Sequence, residues 1–159
     1  MEFMEGGALT NIIVDKNGNF SEQFIKYSLF KVALGLQKMH YYNIIHRDIK
    51  SDNILCRPNG DIKIADMGFS VFLSEQTKYR ETQRGTPSWV SPEIAKGIPY
   101  SKEVDVWAFG CFAWELADGY PPFNNADIDK LFDTIINEPV PRISSKWSDA
   151  FADFCSKCL

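Results

Sequence analysis

The sequence predicts a mainly helical α+β domain with small β-hairpin elements. Three observations predict it. Three stretches carry apolar residues at helical spacing, a fourth is apolar on nearly every side, and one pair of short β-prone runs is joined by a turn. The chain has 159 residues, 45% hydrophobic and 24% charged, which suits one globular domain with a real core. Its net charge of −4 lacks the basic excess that nucleic-acid binding demands, and leaves a basic peptide open as a substrate.

Taken in order, Gly7 to Lys16 reads as a short helix ending at the turn-forming Asn17-Gly18-Asn19. Ser21 caps a longer helix in which Ile25, Leu29, Val32, Leu36 and Met39 recur three or four apart, and which ends near Tyr41-Tyr42-Asn43. Ile44 to Asn53 has no period and reads as loop. Ile54-Leu55-Cys56 and Ile62-Lys63-Ile64 flank Pro58-Asn59-Gly60-Asp61 and read as a hairpin. Phe69 to Gly85 is a long polar loop, a feature that compact domains keep mostly for function. Ser91-Pro92-Glu93 starts a helix, with serine as cap and proline in the first turn. Ser101 caps the next, whose residues Val104 to Ala117 are apolar all round and therefore buried. That segment is too short, and with Asp105 and Glu115 too acidic, to span a membrane. Two amphipathic stretches follow, Ala126 to Asn137 and Trp147 to Leu159.

Cys56, Cys111, Cys155 and Cys158 are scattered, and the N-terminus is acidic where a secretory signal is basic. Reduced thiols in the cytoplasm follow from both. Cys155 and Cys158 have redox spacing but no strand before them, and read as helix thiols.

The chemistry-bearing residues lie around the loops. They are His46-Arg47-Asp48-Ile49-Lys50-Ser51-Asp52-Asn53, then Asp66-Met67-Gly68 after the hairpin, then Gly85-Thr86-Pro87-Ser88-Trp89-Val90-Ser91-Pro92-Glu93. In this order and spacing they resemble the catalytic loop, the metal-binding DFG triplet and the APE segment of protein kinases. The whole chain resembles the C-terminal lobe of that fold, most closely the STE group and its PAK-type serine/threonine branch. Glu5-Gly6-Gly7-Ala8-Leu9-Thr10 is similar to the branch's segment after the hinge.

The resemblance implies transfer of the ATP γ-phosphate to a protein hydroxyl, with ATP and Mg2+ as cofactors. Such a transfer rests on positioning and charge neutralisation. Asp48 would be the base, Lys50 the cation at the transferred phosphate, and Asn53 and Asp66 the oxygen ligands of magnesium. Met1 would be the gatekeeper. Glu2 and Met4 would meet adenine through their backbone, and Leu55 and Ala65 would line the nucleotide floor. Thr86 would contact Asp48 and Lys50, and Asp105 would hold the catalytic loop. Thr82 would be the activating phosphosite with Arg47 as its partner, ahead of Ser74, Thr77 and Tyr79. Met67 replaces the usual Phe and is expected to pack near His46. Residues 1–6 would be a hinge remnant and 7–159 a C-lobe truncated at both ends, lacking its N-lobe partner and inactive alone. Basic residues near the phosphoacceptor would suit Asp52 and the acidic charge. The alternatives are a pseudokinase or scaffold of the same fold, which would lose Asp48, Asn53 or Asp66, and a non-catalytic helical binding module.

Overall fold

The computed structural model describes residues 2–15 and 20–159. The short first segment divides into a strand β1 (Gly7–Ala8) and a helix α1 (Leu9–Asp15), where the sequence predicts one helix. Gly7 takes φ 68°, a conformation natural to glycine, and turns the chain from strand to helix. The predicted turn at Asn17-Gly18-Asn19 lies outside the described residues, as do Met1 and Lys16.

Helix α2 (Glu22–Tyr41) starts at Ser21, whose hydroxyl accepts the Phe24 N–H at 3.3 Å. It buries Ile25, Leu29, Val32 and Leu36 on one face. The predicted hairpin is strands β3 (Ile54–Cys56) and β4 (Ile62–Ile64), antiparallel with Leu55 opposite Lys63. Strand β1 adds to its other edge, with Ala8 opposite Leu55. The two predicted loops hold structure that periodicity cannot see. Ile44–Ile45 (β2) and Val71–Phe72 (β5) pair antiparallel, and Ser51–Asn53 forms a 3₁₀ turn. A two-residue strand has no period to detect.

Helix α3 (Pro92–Lys96) begins as expected, with Ser91 accepting the Ile94 N–H, and ends at Gly97. Helix α4 (Glu103–Asp118) departs from expectation at its start. Lys102 is the cap residue and no side chain caps it; Ser101 instead donates its own N–H to Glu103 Oε1 at 2.6 Å. Helices α5 (Ile128–Asn137) and α6 (Asp149–Cys158) begin two residues later than the sequence suggests, capped by Asp127 and Ser148.

Helix α4 is apolar all round because it separates two cores. On one side Phe112 and Leu116 join Leu29, Val32, Leu36 and Phe151. On the other Trp107 and Cys111 join Tyr100, Ile94, Leu131 and Ile135. The four cysteines are free thiols, and Cys111 and Cys155 are fully buried. Burial pushes the Cys155 thiol up to about 12 and Cys158 to about 11. No helix among the described residues is long and apolar enough to cross a membrane.

Candidate active site

The loop from β2 to β3 is fastened to α4 at both of its ends. At the first, Asp105 is fully buried in the opening turn of α4 and accepts the backbone N–H of His46 at 2.8 Å and of Arg47 at 2.7 Å. Its Oδ2 also meets His40 Nε2 at 2.8 Å, from the last turn of α2. Arg47 has φ 68°, a left-handed backbone uncommon outside glycine, and these bonds hold it there. At the second, Glu115 accepts Ser51 N–H at 3.0 Å and the Ser51 hydroxyl at 2.5 Å. Burial raises the Glu115 carboxyl above the usual carboxylate range, and the Ser51 donors oppose that rise. The Thr10 hydroxyl reaches Ser51 Oγ at 2.5 Å, which brings α1 into the same chain of bonds.

Between these anchors Asp48 collects donors. Asn53 Nδ2 donates to the Asp48 carbonyl and to its Oδ2, both at 2.8 Å. Thr86 donates to Oδ1 from its backbone at 3.2 Å and from its hydroxyl at 2.6 Å. Lys50 Nζ donates to Thr86 Oγ1 at 2.7 Å and lies 3.7 Å from Asp48 Oδ2. A threonine hydroxyl has one proton, so Thr86 gives it to Asp48 and receives the ammonium. Gly85 makes this approach possible. It has φ 131°, and a Cβ there would sit 3.0 Å from the Arg47 carbonyl oxygen.

The hairpin delivers the next group. Ala65 N–H donates to the Asn53 carbonyl at 2.8 Å, and His46 Nε2 meets the Ala65 carbonyl at 3.0 Å. Asp66 follows with φ 56°, exposed, its Oδ1 accepting Gly68 N–H at 3.0 Å. Met67, which the sequence suggests can pack near His46, turns much of its side chain to solvent. It is half exposed with its sulfur on the Ser70 hydroxyl, while His46 is sealed under Ala65.

The residues assigned to adenine contact surround the β1–β3–β4 sheet. Met4 is buried, Leu55 and Ala65 are half-buried, and the exposed Glu2 carboxylate pairs with Lys63 and Arg57. Its hydrogen bond from Lys63 holds that carboxyl below its usual range. Thr82 is exposed in the long loop. Arg47 Nε donates to the Phe69 carbonyl at 2.7 Å and Nη1 to the Tyr100 hydroxyl at 2.9 Å, and that hydroxyl donates to the Thr82 carbonyl at 2.7 Å.

A base candidate, a cation beside it and an amide oxygen donor thus form one network, and the Ala65 to Asn53 bond ties the residue before Asp66 to it. A family model described as the protein kinase domain matches residues 1–159. The chain belongs to the protein kinase domain family. It is similar to the serine/threonine-protein kinase pakC of Dictyostelium discoideum, 41% identical over all of this chain and 34% of that protein. It is 39% identical to the serine/threonine-protein kinase CLA4 of Candida albicans, over all of this chain and 17% of that protein. It is 40% identical to the serine/threonine-protein kinase shk1/pak1 of Schizosaccharomyces pombe, over all of this chain and 24% of that protein. The chain therefore spans about a third or less of the length of these kinases.

Sequence reasoning missed the bonding roles of Glu115, Ser51, Thr10, His40 and Tyr100 in this candidate site. Glu115 carried a usable signal: a carboxylate inside an otherwise apolar helix demands a partner. The others look like ordinary helix and loop residues until the fold brings them together.

Proposed function

We propose that this chain is the larger lobe of a serine/threonine protein kinase and carries the residues that transfer the ATP γ-phosphate to a protein hydroxyl. The observation that supports this most is the network of Asp48, Thr86, Lys50 and Asn53. It orients one Asp48 oxygen toward Thr86 and the other toward Asn53, with a lysine alongside. Asp48 is the base that receives the hydroxyl proton, and Lys50 offsets the charge of the transferred group.

The oxygen atoms present fit magnesium. Asn53 spends its amide N–H groups on Asp48, which leaves the carbonyl oxygen for a cation. Asp66 commits one oxygen to Gly68 and stays exposed. A carbonyl and a carboxylate are the hard donors magnesium takes, the remaining positions going to phosphate and water. Bound there, the ion neutralises phosphate charge. Glu2, Met4, Leu55 and Ala65 form the adenine side, and an N-terminal lobe contributed by a longer protein covers the nucleotide. Residues 1–6 belong to the connection between lobes and 7–159 to the larger lobe.

The substrate is a protein with basic residues near the acceptor hydroxyl. Asp52 is exposed beside Lys50, and the chain carries a net charge of −4, both of which attract cations. Thr82 is the activating phosphosite, since its backbone is already tied through Tyr100 to Arg47, and a phosphate there adds about −1.5 to −2 charge for that guanidinium. Four free thiols suit the reducing cytoplasm, where we place the enzyme.

The test is a phosphotransfer assay on the full-length protein with ATP, magnesium and a basic peptide. Turnover that disappears in Asp48→Asn while nucleotide binding persists supports the reading. Absence of turnover in the phosphorylated parent protein, or undiminished turnover in Asp48→Asn, rejects it.

A further inference from the structure

We propose that Tyr100 is a positioning residue for the catalytic loop, its phenol locking the Arg47 guanidinium and the Thr82 backbone together. Segment 80–86 is thereby docked before any group is added to Thr82.

Tyr100 is 1% exposed, among the most buried large side chains of the chain. Its ring belongs to the core of Ile45, Leu73, Val90, Ile94 and Val104, so packing alone accounts for the ring. Packing does not account for the hydroxyl, since a phenylalanine would fill the same space. The hydroxyl has two partners whose chemistry leaves one assignment. A guanidinium only donates and a carbonyl only accepts, so the phenol accepts from Arg47 Nη1 at 2.9 Å and donates to the Thr82 carbonyl at 2.7 Å. A second tie runs through the backbone, where Arg80 and Tyr100 exchange N–H to carbonyl bonds of 2.9 Å in both directions.

Arg47 gathers both ends of the long loop. Its Nε holds the Phe69 carbonyl near the start, and through Tyr100 its Nη1 holds Thr82 near the end. Four residues beyond Thr82, Thr86 reaches the Asp48 carboxylate. Asp48 adjoins Arg47, whose backbone Asp105 fixes. The phenol therefore closes a ring of bonds from Asp105 to Arg47, Tyr100, Thr82, Thr86 and Asp48. Opening it at Tyr100 frees the loop without touching a group that meets substrate.

Hydrogen exchange on the 159-residue chain tests this. Tyr100→Phe keeps the ring and removes the two bonds, one of them to a charged group, so exchange across 80–86 should rise about tenfold. Exchange in α2 and α4 should not change. Arg47→Gln cuts the ring at its other side and should loosen 80–86 alike, and the double variant should add nothing further. In the full-length enzyme Tyr100→Phe should lower kcat several-fold with KM for ATP unchanged. Unchanged exchange across 80–86, equal acceleration of loop and α4, additive effects in the double variant, or a raised KM for ATP at constant kcat would each overturn the proposal.

Discussion

Asp48 accepts three side-chain or backbone donors at its carboxylate, and an amide cannot do the same. Asn at this position turns an NH₂ toward either Thr86 or Asn53, both donors in the present arrangement. In a protein carrying both lobes, Asp48→Asn should reduce turnover roughly 10²–10⁴-fold. Nucleotide affinity, read by fluorescence titration, should stay near that of the parent. Ser51 supplies a second test at this scale. It gives Glu115 two hydrogen bonds, and Ser51→Ala removes the one from the hydroxyl, leaving a buried carboxylate with one donor fewer. Bonds to charged groups contribute about 1.5–3 kcal/mol and those between neutral groups about 1 kcal/mol. Urea denaturation should therefore show a larger loss for Ser51→Ala than for Thr10→Val, which removes only the hydroxyl pair. Equal losses would mean that Glu115 draws little from Ser51.

Helix α6 docks through its first turn and along its length, and each contact is separately testable. Glu22, at the start of α2, accepts the Ser148 N–H at 3.0 Å and hydroxyl at 2.6 Å, and pairs with Lys26 at 2.7 Å. The Lys26 bond, followed by the two from Ser148, lowers the Glu22 carboxyl from 4.5 to about 2. A depressed folded pKa gives stability that is present above the unfolded value and lost as pH falls through the folded one. The stability gap between parent and Glu22→Gln should thus be full above pH 4.5 and close progressively toward pH 2, as thermal melts would show. Further along, Gly110 of α4 lies under α6, where an added Cβ would stand 2.7 Å from Cys158 Cβ and 2.9 Å from Leu159. Gly110→Ala should cost about 1–3 kcal/mol through overpacking, against the usual gain from alanine in a helix. The long helices were legible from the sequence because Leu29, Val32 and Leu36 repeat on a period and because α4 carries apolar residues throughout. Strands β2 and β5 were not, since pairing Ile44 with Phe72 and Ile45 with Val71 leaves no local trace in two residues each. The helix starts failed by a residue or two for a related reason. Ser101 has the chemistry of a cap, but Glu103 takes its N–H first. In the site, the motif residues were readable from their spacing. Tyr100 and Glu115 were not, because their partners lie 53 and 64 positions away.

At the scale of the whole molecule, the proposed function expects a second lobe to cover part of the surface. Met67 is half exposed, and with Met39, Tyr42, Ile44 and Ile64 it lines an open apolar hollow between α2 and β4. Positioning supplies about 7–11 kcal/mol of a barrier in favourable cases, and under the proposed function part of it comes from a lobe outside residues 1–159. Titrated with ATP, magnesium and a basic peptide, the 159-residue chain should show no sustained phosphotransfer. Turnover that vanishes with Asp48→Asn would show that one lobe suffices. The fold also sets how far its own gene can drift in length. Asp105 and Glu115 stand ten positions apart on α4, about 15 Å along the helix axis, and hold the loop at His46–Arg47 and again at Ser51. The helix is a ruler with two marks. One codon inserted or deleted between them would swing one mark by about 100° around the axis and shift it about 1.5 Å, so that the loop could meet only one of the two. Extra residues in the exposed turn at Pro58–Asn59 would move neither mark. Insertions inherited by descendants of this gene should therefore collect in that turn and stay out of the interval from 105 to 115.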